Sequence, residues 1–364
     1  MKDNTNVWRL KALAAENELQ KTYYSAGVGT QRGERVRGGL YGIGINEEVI
    51  AAYEWLIENY VDGAYIYIFG FSRGAFTARS LAGFISTCGL LKRGSPIPVE
   101  QLYGHYRKRD ITILSLLKKA ESLTQDERWI RKYSRAAPVF FQGVWDTVGS
   151  LGTPFPFLPR VSKKSFSFLE TDLHINDSYG FHALAIDEHR TAFEPTLWNK
   201  TISKTGLNTP ERELTRVEQR WFIGAHSNVG GGYRNDLLAQ LPLKWIMEKA
   251  ELHGLIFLDD IGIEEEFLSC PIRDSLSEML GGVPKILLQG GRPHYRTIGI
   301  APVENSGEIV HSINETIDKS VFDYWNANSN YRPQNLADWA KRRDIDLAKL
   351  SRSVHTQDTQ LVVD

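Results

Sequence analysis

Serine, histidine and aspartate together can carry out acyl transfer, and the sequence holds one of each where a single fold would bring them together. Ser72 lies in Gly70-Phe71-Ser72-Arg73-Gly74, a G-x-S-x-G segment. A serine hydroxyl is a poor nucleophile at neutral pH, so it needs a histidine to take its proton and an acid to fix that histidine's tautomer. Such a serine sits on a strained strand-to-helix turn, where residues two before and two after must be small, and Gly70 and Gly74 meet that demand. The turn also aims the first N–H groups of the following helix, beginning with that of Arg73, at a developing oxyanion. The competing reading of Ser72 is a helix cap.

The partners should follow later strands at their carboxyl ends, in the order serine, acid, histidine. Asp146 follows the apolar run Val139 to Val144, and His226 follows the run Arg220 to Ala225. Asp187 stands as the alternative acid, and His182, His189 and His311 as alternative bases. An Asx turn at Asp146 and a packed turn histidine at 226 are the structural readings. Three glycines, Gly230, Gly231 and Gly232, come soon after His226 and imply a close backbone approach.

The elements that must position these residues are legible as short apolar runs, glycine turns and helical periods in alternation, which indicates an α/β protein. Leu19 to Ser25 reads as a first short strand, followed by a glycine-rich loop from Gly27 to Gly44. Asn46 is read as the cap of a helix with Val49, Tyr53, Leu56, Ile57 and Tyr60 on its apolar face. Ala64 to Phe69 is apolar on both faces, as a central parallel strand should be, and after Ser72 the positions Ala78, Leu81, Ala82 and Ile85 make a helical face ending near Gly89. A further helix carries Leu243, Ile246, Met247 and Ala250 and stops at Gly254, with weak strand signals beyond at Lys285 to Leu288 and Tyr295 to Ile300. The expected division is a catalytic core over residues 1–260, with a helical insertion at about 100–136, and an extension over 261–364 packed on it.

Composition narrows the partners. The 364 residues include 43 Lys plus Arg against 44 Asp plus Glu, so no global field favours nucleic acid or an anionic membrane. The two cysteines, Cys88 and Cys270, lie in mostly apolar stretches and read as buried small side chains rather than a disulfide framework. The polar start Met1-Lys2-Asp3-Asn4 lacks the form of an export signal, and no stretch approaches the roughly 20 apolar residues of a membrane span. The expected location is the cytoplasm on synthesis. Imidazoles and carboxylates lie close together between His182 and His189, but their spacing fits no standard metal site. The Gly27–Gly44 loop lacks the phosphate-binding patterns, so neither metal nor cofactor is expected. Trp198, Phe193 and Phe155 are candidates for an acyl pocket or for the core.

Several segments together resemble a large bacterial and fungal family of α/β-hydrolases that includes phospholipase effectors of type VI secretion systems. They are Tyr24 to Thr30, Phe69 to Ala75, Gly143 to Gly149, His182 to Glu188 and Gly224 to Tyr233. The resemblance implies an α/β-hydrolase-like, mostly parallel sheet covered by helices on both faces, and a triad at Ser72, Asp146 and His226. It further implies a lipid acyl ester as substrate, a secretion-apparatus or immunity partner, and delivery to the periplasm of a neighbouring cell. In the family a strand ending in Asp-Gly-Thr precedes a segment like Thr5-Asn6-Val7-Trp8-Arg9-Leu10, and the expected sheet lacks it here. Asn228 stands where the family more often has Asp. The expected activity is serine-dependent ester hydrolysis; a catalytically weakened binding scaffold and an esterase or thioesterase for small soluble substrates are the alternatives.

Overall fold

The apolar run before Ser72 forms Ile66–Phe71 (β1), and the apolar runs that follow assemble beside it in chain order. This is seen in a computed structural model, which describes residues 4–27, 41–110, 116, 123–149, 179–203, 212–234, 236–275, 292–299, 303–305, 308–356 and 361–362. Val139–Trp145 (β2), Tyr179–Ala185 (β3), Val217–Phe222 (β4) and Glu315–Ile317 (β5) pair in parallel, and Leu361–Val362 (β6) closes the edge antiparallel to β5. The result is an α/β fold with a mostly parallel central sheet. Asn199–Ser203, Glu308–Ser312 and Val303–Asn305 form a separate antiparallel sheet.

Strand alternation divides the core into two faces. Ile66 and Ile68 pack against helices Tyr41–Asn59 (α2), Arg73–Cys88 (α3), Val99–Lys108 (α4) and Gln125–Tyr133 (α5), whose apolar residues form one cluster with them. Tyr67, Phe69 and Phe71 join the opposite cluster, where Leu10 of Asn6–Leu13 (α1) and Leu243 and Ile246 of Gln240–Leu252 (α7) cover the sheet. Between these lies the short helix His226–Gly230 (α6). Beyond β4, helices Lys319–Ala327 (α8) and Gln334–Arg342 (α9) pack Val321, Phe322, Leu336 and Trp339 against Trp221 and Ile317, with Leu347–Thr356 (α10) beside them.

Four local readings are corrected. Leu19 to Ser25 is not a strand: the Asn17 side chain accepts from the N–H groups of Leu19 and Gln20, and the Gln20 amide binds Ala15 and Ile256, which fixes a turn instead. Asn46 lies inside α2 rather than capping it, and accepts a hydrogen bond from the Tyr103 hydroxyl at 2.9 Å. Of the Tyr295 to Ile300 reading, the described residues 295–299 form no strand: the Arg296 side chain goes to Asp146, Gly299 N–H goes to the Glu315 carboxylate rather than to a neighbouring strand, and Ile300 lies outside the described residues. Cys88 is fully buried, whereas Cys270 is only partly so. The Lys285–Leu288 reading, most of the Gly27–Gly44 loop and Phe155 lie outside the described residues.

Candidate active site

Ser72 follows β1 directly and stands before the first turn of α3, with φ 58° and ψ −123°. Such a backbone is strained for a residue with a Cβ and is held by its surroundings, here in part by the Ser72 N–H donating to Trp145 O at 3.0 Å. The serine makes no capping hydrogen bond to its helix, so the cap reading fails. A Cβ on Gly70 would lie 2.4 Å from Gly74 O and 2.6 Å from Ala75 Cα, which explains the glycine at that position. Gly74 differs from the expectation, since a Cβ there meets nothing within 4 Å.

His226 reaches the serine from the start of α6. Its Nε2 is 2.8 Å from Ser72 Oγ and its Nδ1 is 2.5 Å from Asp146 Oδ2. With Nδ1 donating to the carboxylate, Nε2 is left to accept from the serine hydroxyl. Phe71 and Phe193 hold the imidazole at ring separations of 4.6 and 5.0 Å. The glycines after His226 serve this wall: a Cβ on Gly230 would overlap the Phe71 ring at 1.9 Å, and one on Gly231 would meet the backbone of Asn4 and Asn6 at 2.8 Å. Asn6, wholly buried on α1, donates to Val229 O and Ala239 O at 2.9 Å each and ties that helix to the same loop.

Asp146 directly follows β2, with φ 40° and no solvent exposure. Its Oδ1 accepts from Ala185 N–H at 3.0 Å and Arg296 at 2.6 Å, and its Oδ2 from Arg296 at 2.9 Å. These partners are remote in sequence, so the side chain forms no local Asx turn. Burial alone would raise its pKa, but the Arg296 guanidinium and the His226 hydrogen bond outweigh burial and hold the carboxyl well below the usual range. Glu188 accepts from His226 N–H at 3.3 Å and pairs with Arg190 at 2.8 Å. Burial pushes Glu188 up, yet Arg190 brings it down to about 2.

The alternative residues go elsewhere. Asp187 accepts from Gly224 N–H at 2.8 Å and from the Tyr331 hydroxyl at 3.2 and 3.1 Å, and burial pushes it up to about 6. His182 is buried, accepts from Thr147 N–H at 3.1 Å through Nε2 and lies 3.3 Å from Gln219 through Nδ1; burial brings it down to about 3. His189 Nδ1 binds the carbonyl of His294 at 3.0 Å, and His311 lies in the separate antiparallel sheet. The imidazoles and carboxylates of 182–189 therefore diverge. Trp198 is fully buried against His182, so it belongs to the core rather than to a pocket wall. Asn228 accepts from Ala225 N–H at 3.1 Å and donates to Asp236 at 3.1 Å, a carboxyl that burial raises to about 6.

Arg296 and Asn6 carry no signal of their own in the sequence, and Glu188 is legible only as one member of the His182–Glu188 segment. Asn6 sits in an unremarkable polar start, Glu188 among several charges, and Arg296 in a run read as a weak strand, with no local spacing that marks it.

The sheet and these three aligned side chains define the class: an α/β protein carrying a serine–histidine–aspartate constellation at the carboxyl ends of parallel strands. A model of the family described as "T6SS, Phospholipase effector Tle1-like, catalytic domain" matches residues 1–249, and the chain belongs to that family. It is similar to "Uncharacterized protein YEL023C" of Saccharomyces cerevisiae, 26% identical over 374 residues covering 70% of this chain and 55% of that protein. The chain thus spans about half the length of that curated relative. Among solved structures it is similar to "Structure of the Tle1 effector bound to the VgrG spike from the Type 6 secretion system", with 19% identity, a TM-score of 0.34 and coverage of 63% of this chain and 40% of that one. "Crystal structure of an uncharacterized protein from Pseudomonas aeruginosa" gives 16% identity, a TM-score of 0.31 and coverage of 68% and 31%.

Two outcomes follow from this geometry. Gly70→Ala forces a Cβ into backbone that cannot yield and is expected to lower stability by about 2 kcal/mol or more, whereas Gly74→Ala shifts it by less than about 1 kcal/mol; equal thermal shifts would contradict this reading of the turn. Asp187 has its pKa raised in the folded state, so its stabilising contribution is complete below about pH 4 and is lost as pH rises through about 6. Urea unfolding at pH 4 and pH 7 should therefore show Asp187→Asn gaining on the wild type at the higher pH, by at most about 3 kcal/mol. An identical pH dependence for the two proteins would refute it.

Proposed function

We propose that the chain is a serine-dependent carboxylester hydrolase acting on acyl esters of lipids. The observation that carries this reading is the unbroken line Ser72 Oγ to His226 Nε2 to Asp146 Oδ2, at 2.8 and 2.5 Å. His226 takes the proton as Ser72 Oγ attacks the acyl carbonyl, and Asp146 stabilises the imidazolium that forms. The Arg73 N–H, at the start of the 16-residue α3, faces the developing oxyanion with the positive end of the helix dipole behind it. The imidazolium then protonates the leaving alkoxide, giving an acyl-enzyme and a free alcohol. In the second half His226 removes a proton from water, hydroxide adds to the acyl carbon, and Ser72 leaves with that proton restored.

Ester chemistry is supported by the constellation, whereas a lipid substrate is supported by membership of a phospholipase-effector family. The same membership supports a type VI secretion apparatus as partner, and delivery to a neighbouring cell's periplasm belongs to this proposal as its destination. Among the described residues, no helix is long and apolar enough to cross a membrane.

The test compares wild type with Ser72→Ala on phospholipid vesicles and on nitrophenyl esters of increasing chain length. The variant is expected to lose activity by a factor on the order of 1,000 or more, with the wild type favouring the longer acyl chains. Equal rates in the two proteins would overturn the proposal.

A further inference from the structure

Arg296 is the most deeply buried cation beside the three aligned residues, 1% exposed, and it comes from outside the 1–249 span that the family matches. Its guanidinium grips both oxygens of Asp146, at 2.6 and 2.9 Å, while the same two nitrogens also donate to Ala185 O at 2.7 Å and to Phe193 O. The segment that bears it is stitched down on both sides. His294 and His189 exchange backbone and ring hydrogen bonds at 3.0 Å, and His294 Nε2 meets Glu194 at 2.6 Å. Further on, Gly299 N–H donates to Glu315 on β5 at 3.0 Å, and Arg342 of α9 donates to Ile298 O at 2.5 Å. A planar fork that is held this way has little freedom to leave the carboxylate.

We propose that Arg296 is a positioning residue for the Ser72–His226–Asp146 reaction: it fixes the Asp146 carboxylate towards His226 Nδ1 and moderates the pull of that carboxylate's charge on the imidazole. The inference rests on the hydrolase reading above. An aspartate shared with a guanidinium still orients the histidine, but it stabilises the imidazolium less than an unshared one would. The other charged or titratable groups facing the pair are Glu188 at His226 N–H, Arg190 on Glu188, His182 beneath Thr147 and Arg79, whose charge acts on His182. Glu194 faces Arg296 as well, and the Arg296 charge itself acts on Glu188 and His182, so the Arg296→Lys variant, which keeps that charge, separates these influences from the loss of the fork.

The experiment is the pH dependence of kcat/KM for a short nitrophenyl ester with wild type, Arg296→Gln and Arg296→Lys, each checked by circular dichroism and thermal melting. In Arg296→Gln the acid limb is expected to move up by about one pH unit, with kcat lowered about 10- to 100-fold and KM little changed. Arg296→Lys retains the charge but not the fork, so its acid limb should stay near the wild-type position with an intermediate kcat. An acid limb that is the same in all three proteins overturns the inference, and so do variants that fail to fold, which would make Arg296 a support of the fold alone. If wild type and Ser72→Ala hydrolyse the ester equally, the hydrolase reading itself has failed; if only the limb is unmoved, that reading stands without Arg296.

Discussion

Burying a carboxylate away from water costs several kcal/mol unless other groups replace the lost hydration. Asp146 meets that condition with a bidentate guanidinium, a backbone N–H and an imidazole, all converging on two oxygens. The rest of the site is arranged around this convergence. Parallel pairing brings the ends of β1, β2 and β3 level, so that Phe71 lies beside Trp145 and Trp145 beside Ala183. Ser72 and Asp146, each one residue past its strand, then stand side by side, and both are held at positive φ by N–H bonds to the neighbouring strand.

His226 needs a different kind of support, since it lies beyond β4 on a helix of only five residues. That support is steric. Phe71 can lie against the imidazole because Gly230 leaves room for it, and the α1 backbone can close over Gly231 because no Cβ is there. Asn6 then satisfies two buried carbonyls of the loop. The amino-terminal helix is thus tied to the histidine loop at a separation of more than 200 residues in sequence.

The parts legible in the sequence are those written in local pattern. The apolar strand before Gly70, the helical period after Ser72, the run ending at Asp146 and the glycines after His226 each carry their own signal. The choice of Asp146 over Asp187 was not local: both follow buried strands, and only the register of β2 against β3 decides which carboxylate faces the imidazole. The demand on Gly70 came from a backbone crossing that the motif implies, whereas the same demand on Gly74 does not arise, because that glycine faces open space. Arg296 left no trace, since a lone arginine in an irregular segment acquires meaning only when the carboxyl-terminal third folds against the strand ends. Leu19 to Ser25 forms no strand because the Asn17 carboxamide accepting from Leu19 and Gln20 N–H, and the Gln20 amide bound to Ala15 and Ile256, take the place of strand pairing there.

The central claim is that Ser72 is an activated nucleophile held ready by His226 and Asp146. Mass spectrometry of the protein after treatment with a fluorophosphonate tests it most directly, because the reagent phosphonylates only a serine whose proton is being taken. The account predicts a single adduct mapped to the peptide containing Ser72, formed rapidly in the wild type and absent from His226→Ala. A folded wild type that remains unlabelled, or an adduct on another residue, would contradict it.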